Sequence, residues 1–161
     1  MTKRVSSPAL DPESVPRRTG STYPKQFQEP LAGRQKRALG DPLGLSHFGV
    51  NLVELGPGAW SAQRHWHSQE DEFVYVVSGE LTLITDAGRQ VLRPGMVAGF
   101  PAGAADGHHL VNASEAPAAY LEIGDRGDSD EVIYPDIDMV LRPAPGGRAF
   151  FHNDGRPCDP D

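Results

Sequence analysis

From Phe48 onward, apolar and polar residues alternate in short runs separated by glycine, proline and aspartate. Side chains on a strand point to opposite faces in turn, so this period of two predicts strands rather than helices. FGVNLVEL (48–55) ends in the turn Gly56-Pro57-Gly58, a strand near 61–67 follows, and EFVYVV (72–77) runs into Ser78-Gly79. ELTLIT (80–85) turns at Asp86-Ala87-Gly88 into RQVL, and Pro94-Gly95 fits the central pair of a type II turn. Further strands are expected at 96–100, 107–112 and 117–123, with a last set, 132–141 and 148–153, wrapping the outside. Short strands at such regular spacing predict an all-β domain of barrel or sandwich type. Ahead of them only Ala32 to Ala38 offers a helical turn. Residues 1–22, rich in proline, serine and charge, read as a flexible or arm-like extension without regular structure.

The 161 residues, with 15 prolines and 18 glycines, fit one domain long enough to bury a core. We divide it into the arm (1–22), a lead-in segment (23–47), a barrel core (48–124) and C-terminal strands and tail packing on the barrel (125–161). No apolar run is long enough to span a membrane, and the basic N-terminus lacks the apolar core of a secretory signal. The single cysteine, Cys158, excludes an internal disulfide, so a reducing cytoplasm is the expected compartment. The first 37 residues hold eight Lys/Arg against three Asp/Glu, a net of +5, which leaves −12 for the rest of a chain whose total is −7. The basic arm lacks the aromatic interleaving and helical pattern of a nucleic-acid binder. It is expected to lie over its own acidic domain or over a partner subunit's.

His65 and His67, two apart on a strand, face the same way, and Glu72 opens the next strand. Two imidazoles and a carboxylate converging from adjacent strands form half of a metal site. Downstream, the adjacent His108 and His109 precede another apolar strand. His65, His67, Glu72 and Gly79, with four and then six residues in the last two gaps, resemble the first sequence motif of the small single-domain cupins. Gly95, Pro101, Gly103, His108 and Asn112 resemble the second. The resemblance covers roughly residues 48–124, and the flanks are similar to those of bacterial cupins named sugar-phosphate isomerase-like. It implies a jelly-roll barrel, the double-stranded β-helix, with an irregular N-terminal arm. It also implies one divalent transition metal ion (Zn, Ni, Mn or Fe) held by His65, His67, Glu72 and His108. The chain departs from the pattern in three places. Four residues separate Gly103 from His108 where the family has two, Met96 stands where an acid is usual, and neither Gly56 nor Gly58 has the usual offset from His65. The longer loop leaves His109 as the alternative to His108, with the spacing to Asn112 favouring His108. Asp71 is the alternative to Glu72.

Three nitrogens and one oxygen leave one or two positions open on a five- or six-coordinate ion. There a carbonyl could be polarised, water activated or dioxygen bound. The expected function is a metal-dependent enzyme, isomerase or epimerase or else dioxygenase, on a small polar or carbohydrate-like molecule. The alternative is a non-catalytic module that binds a sugar-like ligand around a structural or lost metal. No general base stands out: Glu70, Asp71, His109 and Tyr120 are unranked nominees. Arg64, Arg89 and Arg93 are too few to promise a phosphate-binding wall in the barrel region. Gln63 shares the face of His65, Trp66 and Arg64 alternate away from it, and Tyr75 points outward. His47 and His152 have no ligand-like neighbours. The acids Glu122, Asp125, Asp128, Asp130 and Glu131 read as a solvated loop. Apolar flanking strands without obvious cover predict a homodimer.

Overall fold

The computed structural model describes residues 7–158. Alternation becomes strand wherever one row of side chains finds a core. Val53 and Leu55 of one strand, and Val74 and Val76 of another, are buried while their neighbours are not. In chain order the elements are β1 (Arg18–Thr19), β2 (Arg34–Ala38), the one-turn helix α1 (Gly40–Leu43), β3 (Phe48–Leu55), β4 (Trp66–His67), β5 (Glu72–Ser78), β6 (Leu81–Thr85), β7 (Gly88–Leu92), β8 (Val97–Phe100), β9 (His109–Val111), β10 (Ala118–Asp125), β11 (Val132–Tyr134), β12 (Met139–Ala144) and β13 (Gly147–Phe151). Short 3-10 turns stand at Pro12–Ser14, Lys25–Phe27 and Glu29–Leu31.

All strand pairs are antiparallel. They form a six-stranded sheet in the order β1-β2-β3-β10-β5-β8, a four-stranded sheet β13-β12-β11-β4, and a three-stranded sheet β7-β6-β9. Bridges from Trp60 to Val111 and from His65 to His108 tie the segment ahead of β4 to β9. The barrel core comprises Val53, Leu55, Val74, Val76, Leu81, Leu83, Leu92, Leu110 and Tyr120. Asn112, fully buried, donates from Nδ2 to the carbonyls of Leu55 and Ala116 (both 2.8 Å) and accepts from Ser114, so it serves the loop before β10.

The expected β-architecture holds, with three differences. Ala32 to Ala38 is not a helical turn: residues 34–38 are β2, because pairing with β3 satisfies their backbone groups along a whole sheet edge. The run 132–141 is not one strand, since Pro135 and Asp136 turn the chain between β11 and β12. The arm is not without regular structure over its described part. β1 pairs with β2, and the buried Arg37 guanidinium donates to the carbonyls of Glu13 and Val15 and pairs with the Glu13 carboxylate at 2.6 Å. Tyr23 and Phe27 then pack into a second core with Val132, Tyr134 and Met139.

Gly79 closes the β5–β6 hairpin at φ +72°, and a Cβ there would stand 2.6 Å from the Pro117 carbonyl oxygen and 2.7 Å from the Ala118 Cα. Both obstacles are backbone and cannot swing aside. Gly79→Ala should therefore lose well over the ~1–2 kcal/mol of left-handed strain alone. Gly88→Ala, at φ +119° with open space around it, should lose only the strain. Urea unfolding of the two variants checks the order.

Candidate metal centre

The site is assembled by one cross-strand pair. The amide of His65 donates to the His108 carbonyl (3.1 Å), and the His108 amide returns the bond to His65 (2.8 Å). His67 lies two residues along from His65 on the same face, and Glu72 shares the inward row of β5 with Val74 and Val76. One oxygen collects all three rings: Glu72 Oε2 stands 3.5 Å from His65 Nε2, 3.2 Å from His67 Nε2 and 2.7 Å from His108 Nε2. Ligands about 2.1 Å from a shared ion and at right angles would lie about 3.0 Å apart, which these separations bracket.

The other ring nitrogens decide what the cluster can accept. His65 Nδ1 faces the Gln63 carbonyl at 2.8 Å, and His67 Nδ1 faces the Asp130 carboxylate at 2.7 Å. Both partners only accept, so both Nδ1 atoms carry a proton; in the neutral rings the Nε2 lone pairs then point at the Glu72 carboxylate, and an Nε2 that gains a proton donates it there. Three electron-rich atoms packed together inside a barrel call for a cation or an added proton between them. A divalent ion with nitrogen and oxygen preferences fits this donor set. His108 is held differently. Its ring stacks on Phe100 at 3.5 Å and 2°, and its Nδ1 is buried without a hydrogen-bond partner.

Electrostatics follow from the same contacts. Burial works against charge on His67, but the Glu72 and Asp130 carboxylates outweigh it and raise the ring to about 9. Burial alone would raise Glu72, yet hydrogen bonds from His108, His65 and His67 take it well below the usual carboxylate range. Burial keeps His108 below its ordinary value.

Of the acids read as a solvated loop, Asp130 is fully buried. Besides His67 it accepts from the Gln69 amide (2.9 Å) and from Arg148 Nη2 (2.7 Å), so it fixes the His67 ring rather than facing solvent. Glu122 is the other exception. It lies on the inward row of β10, accepts from Asn51 Nδ2 at 3.1 Å, and lines the same small cavity as His65, Glu72 and His108. Neither acid stands at a motif position; period-two counting through β10 would have placed Glu122 inward with Tyr120.

Asp71 is exposed, accepting from the Ala102 amide at 2.7 Å, and it is not brought to the three rings. His109 packs edge-on against Trp60 and donates from Nδ1 to the Ala62 carbonyl at 2.9 Å. Glu70 sits behind His67, bonded to the Gly127 amide at 3.1 Å, and forms a second close group with His67 and Asp130. Tyr120 is buried with its hydroxyl unpartnered, and burial lifts it well above its ordinary value, so it stays protonated. Gln63 donates its side-chain amide to the Phe27 carbonyl, a tie to the lead-in segment rather than a pocket contact. The cavity beside the rings measures about 20 Å³, room for about one water-sized group. It adjoins a wider mouth of about 300 Å³ shared by Glu72 and Glu122 with Arg18 and Lys36.

An antiparallel barrel carrying three inward histidines and one glutamate defines a class of small β-barrel proteins with sites that could hold a metal ion. The Cupin domain model matches residues 51–124. A cupin-superfamily sugar phosphate isomerase of Silicibacter pomeroyi superposes with a TM-score of 0.90 at 45% identity, over 94% of this chain and 96% of that one. A candidate sugar phosphate isomerase of Acidithiobacillus ferrooxidans gives 0.71 at 33% identity, over 80% and 81%. A polyketide cyclase of Streptomyces resistomycificus, at 22% identity and 0.60 over 73% and 78%, shares the fold alone. No functionally curated protein matches the sequence significantly. The chain belongs to the cupin family. Among the described residues no helix is long and apolar enough to cross a membrane.

The raised His67 makes the metal-free protein pH-sensitive. Its contribution is full below about 6.5 and is lost as pH rises through about 9, at most about 3 kcal/mol. Chelator-treated protein should therefore lose thermal stability across that window, Asp130→Asn should flatten the loss, and protein loaded with Zn should show none. An equal slope in all three would mean that His67 is not the group responsible.

Proposed function

We propose that the chain is a metal-dependent isomerase acting on a small phosphorylated sugar, with one divalent ion (Zn, Ni, Mn or Fe) held by His65, His67, Glu72 and His108. The observation that carries this is the convergence of three Nε2 atoms on one Glu72 oxygen, with two of the lone pairs fixed by acceptors behind the rings. The name borne by the relative at 45% identity supports the substrate class. Between isomerase and dioxygenase, Glu122 favours the first. Moving hydrogen between carbons needs a base beside the metal position, and Glu122 is a carboxylate on that cavity with no histidine or backbone amide bonded to it among the described residues.

An ion held by His65, His67, Glu72 and His108 would supply Lewis-acid polarisation of the substrate carbonyl. Glu122 takes the proton from the adjacent carbon and returns it to the former carbonyl carbon, while a hydroxyl proton passes between the two oxygens. Atoms balance through an enediol. Tyr120, protonated, donates to a substrate oxygen. In heavy water the metal-loaded protein should interconvert an aldose phosphate and its ketose with solvent deuterium entering beside the carbonyl, followed by NMR. Glu122→Gln should lose about 10²-fold or more in turnover while keeping its ion. His67→Ala should lose the ion itself while staying folded. No turnover across pentose and hexose phosphates with any of the four metals would sink the isomerase.

We also assign a homodimer. The outer face of the six-stranded sheet carries Leu52, Leu121, Tyr75 and Val97 in one cross-strand row, with Val50, Ile123 and Phe73 in the next. Phe48, Phe73, Tyr75, Val77 and Val97 are exposed. A second copy of this face would cover them. Sedimentation should give twice the chain mass, and Tyr75→Lys should give monomers with full metal content; a wild-type monomer would refute the assignment.

A further inference from the structure

The cavity between the arm and the barrel wall has no part in the chemistry above. It measures about 420 Å³ and is lined by Arg18 of β1, Arg34 and Lys36 of β2, Tyr23 and Tyr134 among others. Arg34 and Lys36 are alternate residues paired with Leu55 and Val53, both fully buried in the core. They therefore leave β2 on its inward face, where apolar side chains are the rule. Among the described residues neither has an ion-pair partner, and the Nε of Arg34 is buried with no hydrogen bond. Among the described residues Arg18 pairs with Asp41 alone, at 3.9 Å. Positive side chains on an inward face that make no ion pair are costly, and a bound anion would offset that cost.

The cavity also adjoins the candidate metal centre. Ser61 and Ala62 line both it and the small cavity beside His65, Glu72 and His108. Arg18 and Lys36 line both it and the mouth where Glu72 and Glu122 stand. A ligand could thus lay a charged end against the cations and a polar end against the rings.

From this geometry we infer that the cavity is the substrate's phosphate subsite, with Arg34 and Lys36 holding the phosphate from the barrel wall and Arg18 closing over it from the arm. The assignment rests on the reading of the chain as a protein of phosphorylated sugars. Three cations suit a phosphate dianion better than a single carboxylate, and the Ser21 and Thr22 hydroxyls on the same wall add donors.

Calorimetric titration of the metal-loaded full chain with inorganic phosphate tests it. Wild type should bind one phosphate per chain, and Arg34→Met and Lys36→Met should each weaken it about tenfold with metal content unchanged. Arg18→Gln, on a side chain 62% exposed, should weaken it without a folding cost and serves where a β2 variant fails to fold. Acetate should bind far more weakly than phosphate. Phosphate affinity unchanged in the variants, or no phosphate binding to wild type at tens of millimolar, would overturn the subsite. The two readings separate cleanly. Phosphate lost in the variants without turnover in wild type keeps the subsite and removes the isomerase. Turnover of a sugar phosphate with an unchanged KM in Lys36→Met removes the subsite and keeps the isomerase.

Discussion

Electron-rich atoms crowded inside a barrel repel one another unless something positive sits among them, and the cluster at Glu72 is built on that constraint. Two imidazole rings turn Nε2 toward its carboxylate, their direction set by acceptors on the far sides of the rings, the Gln63 carbonyl and the Asp130 carboxylate. Asp130 in turn needs Arg148 of β13 and the Gln69 amide to stay ionised in full burial. The C-terminal hairpin therefore contributes to the centre although none of its side chains enters it. The cross-strand pairing of His65 with His108 supplies the remaining geometry, bringing the two sequence motifs to one point.

Charge of the opposite sign is arranged on the neighbouring wall. The chain concentrates its positive residues before residue 38, and folding lays two of them, Arg34 and Lys36, on the inward row of β2. The arm is held down by Arg37, which reaches back to Glu13 and Val15, and by Tyr23 in the second core. Acidic and basic walls thus meet at one mouth, shared by Glu72 and Glu122 on one side and Arg18 and Lys36 on the other. Such a mouth suits a small molecule with an anionic end and a polar end.

Much of the barrel could be read directly. The strand Phe48–Leu55 coincides with its expected span, and Glu72–Ser78 and Leu81–Thr85 differ from theirs by a residue, because apolar alternation bounded by Gly-Pro turns is a local property. His65, His67, Glu72 and His108 were legible for a related reason: motif spacing records which side of a strand a residue occupies. Residues 34–38 misled because their charges hide the alternation, and only the edge of β3 makes a strand of them.

What the sequence determined by itself was the all-β barrel and the identity of the four residues that meet, since period-two patterning and turn residues act over a few positions. Tertiary structure alone decided the surroundings. Asp130 behind His67, the meeting of Glu122 with the rings at one cavity, and the Arg34–Lys36 wall are each set by partners far away in the chain, 63 positions in the case of Asp130 and His67. Burial and the sign of a neighbouring charge depend on which strands pair. That pairing is fixed by the collective packing of the core, and no local window of residues contains it.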